Sequence, residues 1–369
     1  RLPSIRCRHY RRCRAPRSQR VSRSVTERSN PHDHLRNFAV RRCTRAVELP
    51  WAYPPTGALM AADLIYLTRD DVRSLLPDWH AQIDVVEQTY VDMSEGSVEM
   101  PPKPGIHPRK DAFIHAMPAF LGRSDVAALK WVSGYPSNKA LGIPYINGLL
   151  ILNEAETGVP IAVMDCVEIT AARTAAASGV CVRRWAPAGW TKAAILGCGE
   201  QGNYHADMLR ALNPNAEIVA YDPNPERADL LRGRTETAAS VESAIADADI
   251  VISAAPIVKN PAPSIFPGML KDKHLLLPID FDAVASKAIV DEADIFLTDS
   301  VVQFEHYRGI GHFAGWRAPQ ASVGDRVRES GGGDRVVCCN LGVGALDAAF
   351  AAVVNAAARE QHLGLALPR

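Results

Sequence analysis

A chain of 369 residues, 47% of them hydrophobic, is long enough for two globular domains with sizeable cores. Its 41 basic and 41 acidic side chains cancel, but residues 1–58 hold 14 Arg, no Lys and only Glu27, Asp33 and Glu48, which leaves 27 bases against 38 acids in the body. An acidic body argues against a nucleic-acid partner, and the lack of any apolar run of about 18 residues argues against a membrane-spanning helix.

Residues 1–58 are rich in Arg and Ser, poor in aliphatics and without periodicity, and read as a disordered basic extension. Three readings fit it: a basic nucleic-acid arm, a transit peptide, or sequence upstream of the natural start. Met60-Ala-Ala-Asp-Leu-Ile-Tyr-Leu67 reads as an ordinary protein start and favours the third, a segment foreign to the native protein. The eight cysteines (7, 13, 43, 166, 181, 198, 338 and 339) show no metal-ligand spacing. A reducing, cytoplasmic setting fits them, and no metal is expected.

Residues 62–158 mix elements. Leu64–Leu67 suggests a short strand, Thr68 caps a helix through Leu76, and Asp78 caps a longer one to about Glu95. Ile83, Val86, Tyr90 and Met93 recur at the spacing of an amphipathic helix. Strand-like runs follow at 112–117, 126–132, 148–152 and 159–164, with Glu156-Thr-Gly158 as the turn between the last two. Together these predict an antiparallel sheet with helices beside it. Thr170 then caps a helix to about Trp185.

Ala193–Leu196 reads as a buried strand leading into Gly197-Cys-Gly-Glu-Gln-Gly202, a G-x-G-x-x-G loop that opens a helix. Gly197 permits the tight turn, Gly199 lets backbone approach a pyrophosphate, and Gly202 lets helix pack on strand. Glu200 and Gln201 complete the loop. A second strand, 217–222, ends at Asp222, about 20 residues beyond the glycines, where a carboxylate accepts from an adenosine ribose. Further strands near 249–254, 274–280 and 294–298 alternate with helical stretches, which predicts a doubly wound parallel sheet. After a strand at 336–339, a long Ala-rich helix from about Val343 to Arg359 is expected to return to the first domain.

Chemistry needs a substrate anchor and a proton-transfer group. Lys130 sits inside an apolar strand; such a lysine ordinarily lies on a solvated face, but burial would lower its pKa and suit it to acid/base work near neutrality. Arg173 is the one charge in Thr170-Ala-Ala-Arg-Thr-Ala-Ala-Ala-Ser178; it is either a surface arginine or a bidentate carboxylate anchor with small neighbours. Lys103, in Met100-Pro-Pro-Lys-Pro-Gly105, is a cation on a rigid loop whose pattern favours exposure. Asp280 and Asp282 end a strand at the edge where parallel sheets bind ligands, or cap the segment that follows.

At Lys130-Trp-Val-Ser133 with Pro136, Asn138 and Gly142, at Glu156-Thr-Gly-Val-Pro160, at Thr170–Ser178 and at Gly197–Gly202, the chain resembles the ornithine cyclodeaminase/mu-crystallin family, over about residues 62–360. The resemblance implies an α/β fold: a Rossmann-type doubly wound parallel sheet (186–340) plus an α+β dimerisation/substrate domain (59–185 and 341–369), assembled as a homodimer. It implies that Lys130 is catalytic, that Arg173 binds the substrate carboxylate and that Thr174 contacts cofactor phosphate. It makes Asp280 the catalytic aspartate, with Asp282 the alternative. Asp222 favours NAD over NADP, because it would repel a 2′-phosphate. The implied substrate is a small amino or imino acid. The type reaction converts ornithine to proline and ammonia through an imine; the alternatives are a ketimine reductase or amino-acid dehydrogenase, and a non-catalytic ligand-binding protein. Two residues depart from the pattern. Lys103 stands where a carboxylate-binding arginine is common, and His115 stands where cyclodeaminases have a glutamate, which counts against ornithine.

Overall fold

The computed structural model describes residues 63–258, 260–329 and 332–368. The basic segment 1–58 and Met60 lie outside the described residues, as do Ser330 and Gly331 of the loop expected at 329–334.

In chain order the strands are β1 (Leu64–Leu67), β2 (Val98–Glu99), β3 (Gly105–Ile106), β4 (Phe113–Leu121), β5 (Val126–Gly134), β6 (Ile146–Glu154), β7 (Pro160–Asp165), β8 (Lys192–Leu196), β9 (Glu217–Tyr221), β10 (Glu236–Thr237), β11 (Ile250–Ser253), β12 (His274–Pro278), β13 (Ile295–Thr298), β14 (Ala321–Ser322), β15 (Arg335–Cys339) and β16 (Leu365–Leu367). The helices are α1 (Arg69–Leu75), α2 (Trp79–Ser94), α3 (Val167–Trp185), α4 (Glu200–Leu212), α5 (Pro225–Ala228), α6 (Val241–Ile245), α7 (Lys287–Glu292), α8 (Val301–Gly309), α9 (Val323–Arg326) and α10 (Gly344–Gln361).

The first sheet runs β16-β1-β7-β6-β5-β4-β2, with β3 also on β4. It is mixed rather than purely antiparallel, because β1 pairs β7 in parallel through Ile65↔Ala162. Two helices and five strands separate these partners, ample chain for the crossover that a parallel pair needs. Strand β5 sets Lys130 opposite Met117 of β4 and Leu150 of β6. Its alternation buries Val126, Ala128, Lys130 and Val132 on one face and exposes Trp131 on the other. The lysine therefore faces the core.

Helix α2 packs on α3, and α10 lies across β4 and β5. The approach of α10 is close: a Cβ at Gly344 would stand 3.1 Å from the Met117 carbonyl oxygen. Thr68 caps α1 with a full capping box, and the Asp78 side chain accepts from the Ala81 amide at 3.0 Å to start α2. Ile83, Tyr90, Leu150 and Met164 are fully buried in the shared core. Such burial contributes roughly 1.5–3 kcal/mol per aliphatic side chain.

Helix α3 begins at Val167, one turn before the expected Thr170 cap. Asp165 accepts from the Val167 amide at 2.8 Å, so the turn out of β7 is satisfied without Thr170. The hydroxyl of Thr170 is thereby left inside the helix, where Lys130 reaches it.

The second sheet is wholly parallel, in the order β10-β9-β8-β11-β12-β15-β13-β14. The late strand β15 inserts between β12 and β13. From β8 the chain winds first to β9 and later to β11 on the other side, so the switch point lies where the glycine loop leaves β8. Among the described residues no helix is long and apolar enough to cross a membrane.

Candidate active site

Three cations and two acids meet between the two sheets. Lys130, 1% exposed, donates from Nζ to Asp347 Oδ1 at 2.7 Å and to Thr170 Oγ1 at 3.2 Å. The same Asp347 Oδ1 accepts from Arg173 Nε at 3.1 Å. The two terminal guanidinium nitrogens of Arg173 have no hydrogen-bond partner among the described residues, so its two-pronged end is free. Burial pushes the Lys130 ammonium below the usual lysine range, opposed by the facing Asp347 carboxylate.

The third cation comes from the loop before β3. Lys103 Nζ donates to the Leu341 and Gly342 carbonyl oxygens at 2.9 and 3.2 Å and lies 5.1 Å from the centre of the Tyr307 ring. Burial first, and then the Arg173 charge, push it down to about 7. The turn it holds is fixed from the other side by Asp299, whose carboxylate accepts from the Leu341 and Gly342 amides at 3.0 and 2.7 Å. Burial raises the Asp299 carboxyl, and these two amides oppose the rise. Gln303 also donates to the Gly342 carbonyl, at 3.0 Å. Gly342 has φ +77°, and a Cβ there would stand 2.6 and 2.9 Å from the terminal nitrogens of Arg173. Only glycine leaves the guanidinium its place.

The dinucleotide cradle is built as the motif requires. Gly197 has φ +107°, and a Cβ on Gly202 would stand 2.1 Å from the Gly197 carbonyl oxygen. A Cβ on Gly199 would meet only Arg227, at 3.9 Å, so backbone there is open to a ligand. Helix α4 starts at Glu200 with no side-chain cap, which leaves its first amides to an anion. Asp222 accepts from the Cys198 amide with Oδ2 and the Asn224 amide with Oδ1, both at 2.9 Å. It braces the loop from the position expected of a ribose acceptor. The exposed Glu200 pairs with Arg69 at 2.7 Å, and the Gln201 carbonyl accepts from buried His205. These residues fit a nicotinamide dinucleotide.

Asp280 and Asp282 follow β12 at the C-terminal edge of the second sheet, and neither bonds to Lys103, Lys130 or Arg173. Asp280 accepts from Ser253 Oγ at 2.8 Å and the Ala255 amide at 3.0 Å, and burial pushes its carboxyl up to about 7. Asp282 accepts from the Phe313 amide at 2.7 Å, while its Oδ1 is buried without a hydrogen bond, 3.8 Å from His312 Nδ1. Phe281, between them, has φ +64°, a strained value for a bulky residue. Thr174, half-buried, donates to the Thr170 carbonyl at 2.6 Å. His115 stacks on Phe113 at 4.4 Å, and burial, then Lys103, push it down to about 3, so its imidazole is neutral.

Sequence reasoning brought out Lys130, Arg173 and Lys103, which the fold unites. It passed over Asp299, Gly342 and Asp347. The one available signal was Asp347 itself, a lone acid in the Ala-rich stretch of α10.

The sequence model of the ornithine cyclodeaminase/mu-crystallin family matches residues 64–325. The nodulation efficiency protein NfeD of Rhizobium meliloti is 34% identical over 319 residues, covering 83% of this chain and 98% of that protein. Alanine dehydrogenase of Archaeoglobus fulgidus is 36% identical over 160 residues, 43% of this chain and 48% of that enzyme. A solved structure of an archaeal alanine dehydrogenase dimer with bound NAD superposes with a TM-score of 0.72 at 24% identity, covering 83% of this chain and 99% of that one. The chain belongs to the ornithine cyclodeaminase/mu-crystallin family.

Proposed function

We propose that this protein is an NAD-dependent oxidoreductase acting at the α-carbon of a small 2-amino or 2-imino carboxylate. The observation that carries the reading is Arg173. Its Nε is committed to Asp347 and its two terminal nitrogens are free, in a cluster whose cations outnumber its acids. That arrangement takes one carboxylate in bidentate fashion. Lys103 spends two of its three N–H groups on carbonyls and keeps one for the same carboxylate. Lys130 holds a proton beside the anchored substrate, in a desolvated setting where it can be exchanged. NAD fits the cradle at Gly197–Gly202, where Asp222 selects against a 2′-phosphate; we assign Thr174 of α3 to its phosphates, as the family resemblance implies. Bound there, the nicotinamide supplies hydride transfer at the α-carbon.

A second reading is cyclodeamination of ornithine to proline and ammonia. Asp280 favours it, since a carboxyl near 7 can take a proton from a distal ammonium. His115 opposes it, because a neutral imidazole offers that ammonium no counter-charge.

A homodimer through the first sheet accompanies either reading. The outer face of β5 and β6 exposes Trp131 and Leu149, cross-strand neighbours that are 47% and 43% accessible. Contiguous apolar surface of this kind marks an interface.

The test is substrate profiling of the purified protein. NADH is supplied with pyruvate plus ammonia or with cyclic 2-imino carboxylates, and NAD+ with alanine, proline or ornithine. NADH consumption with the imino or oxo acids supports the first reading. Proline and ammonia from ornithine without net NADH support the second. Binding without turnover of any of them would leave the ligand-binding alternative.

A further inference from the structure

We infer that Asp347 of α10 is the positioning residue that aims both Lys130 and Arg173, an inference that rests on the carboxylate-anchoring reading above. A single atom, Oδ1, accepts from Lys130 Nζ at 2.7 Å and from Arg173 Nε at 3.1 Å. With Thr170 accepting a second proton, Lys130 keeps one N–H uncommitted, and Arg173 keeps its terminal nitrogens. One carboxylate thus fixes the two cations about bonds that leave their working donors free.

The rest of Asp347 does not look like a stability device. The residue is 1% exposed, and its Oδ2 is buried with no hydrogen bond. A buried ion pair selected for stability would use both oxygens, since each unsatisfied buried acceptor costs about 1–3 kcal/mol. The placement also depends on α10 lying close to the sheet, which Gly344 and the surrounding alanines permit.

Five groups bear on the Lys130 ammonium. They are Asp347 from α10, Arg173 from α3, Cys166 at the head of α3, Lys103 from the loop before β3, and His115 from β4. Burial holds His115 neutral and raises the Cys166 thiol to about 12, so of these five Asp347 is the anion acting on Lys130, while Asp299 acts on Lys103 and Arg173.

The experiment compares Asp347→Asn and Asp347→Glu with the wild type. Three quantities are read: the pH profile of kcat, KM for the carboxylate substrate, and NADH affinity by fluorescence. Asparagine keeps the shape and removes the charge. Its Lys130 gives up a proton at lower pH, so the alkaline limb of kcat moves down by about one unit or more. KM rises about tenfold or more, and NADH affinity is unchanged. Glutamate restores the charge from a displaced oxygen, so the limb returns while kcat/KM stays about tenfold low. A limb that superimposes on the wild type in Asp347→Asn, or wild-type kcat/KM in Asp347→Glu, overturns the inference. Equal loss of NADH binding and turnover in both variants reveals a merely structural residue and also overturns it. Carboxylate binding, read from the change in NADH fluorescence on adding pyruvate or L-proline, separates this inference from the functional reading. Asp347-dependent binding without turnover sinks the reading and keeps the inference; binding indifferent to Asp347 sinks the inference.

Discussion

Gly342→Ala is expected to damage substrate binding more than folding. The residue lies in a turn with φ +77°, so a side chain there costs about 1–2 kcal/mol of backbone strain. The added Cβ would stand 2.6 Å from one terminal nitrogen of Arg173, 2.9 Å from the other and 3.1 Å from the guanidinium carbon. Ordinary contact begins near 3.4 Å, so the fork must retreat by several tenths of an ångström. A guanidinium moved that far while its Nε stays on Asp347 loses its bidentate alignment. A charge-assisted hydrogen bond is worth about 1.5–3 kcal/mol, which at about 1.4 kcal/mol per decade predicts a roughly 10- to 200-fold fall in kcat/KM. The loss falls on KM, because the carboxylate is held alike in ground and transition states. The assay is initial-rate kinetics over a range of amino- or imino-acid concentrations, with thermal unfolding beside it. A variant that melts a few degrees lower with an unchanged KM would refute the reasoning, since Arg173 would then not be the anchor.

Three further outcomes follow from the geometry. Lys103 sits at about 7, so KM for the carboxylate is expected to rise as pH climbs above 7 and this cation is lost; Lys103→Arg, which keeps its charge, flattens that limb, and a pH-independent KM in the wild type would count against Lys103. Gly202→Ala places a Cβ 2.1 Å from the Gly197 carbonyl oxygen, and NADH affinity measured by fluorescence is expected to fall at least about tenfold; unchanged affinity would mean that the dinucleotide does not sit at this loop. Leu149→Glu puts a charge on the exposed face of the first sheet, and sedimentation is expected to show monomer where the wild type shows dimer; a persistent dimer would place the interface elsewhere.

What was legible in the sequence was local. The Gly197–Gly202 spacing is read within one strand–turn–helix unit, and each glycine answers a constraint set by its neighbours. Caps at Thr68 and Asp78 are equally local, because a side chain reaches only three residues to its amide. The two-residue strands β2, β3, β10 and β14 were not legible, since so short a run carries no period. The place of β15 between β12 and β13 was not legible either, because strand order depends on which edge is free when the chain returns.

The sequence by itself determined that this chain has a parallel dinucleotide-binding sheet, a preceding sheet and an Ala-rich closing helix, and it singled out Lys103, Lys130 and Arg173. It could not say whether Lys130 faced water or core, since alternation assigns a residue to a face without saying which face is buried. The tertiary structure decided that, by laying α10 across β4 and β5. Only there does Asp347, 217 residues beyond Lys130, meet the lysine that sequence reasoning left with two fates. Asp299 and Gly342 belong to the same lesson: their roles come from a turn between two sheets, and no spacing along the chain encodes a contact made across that gap.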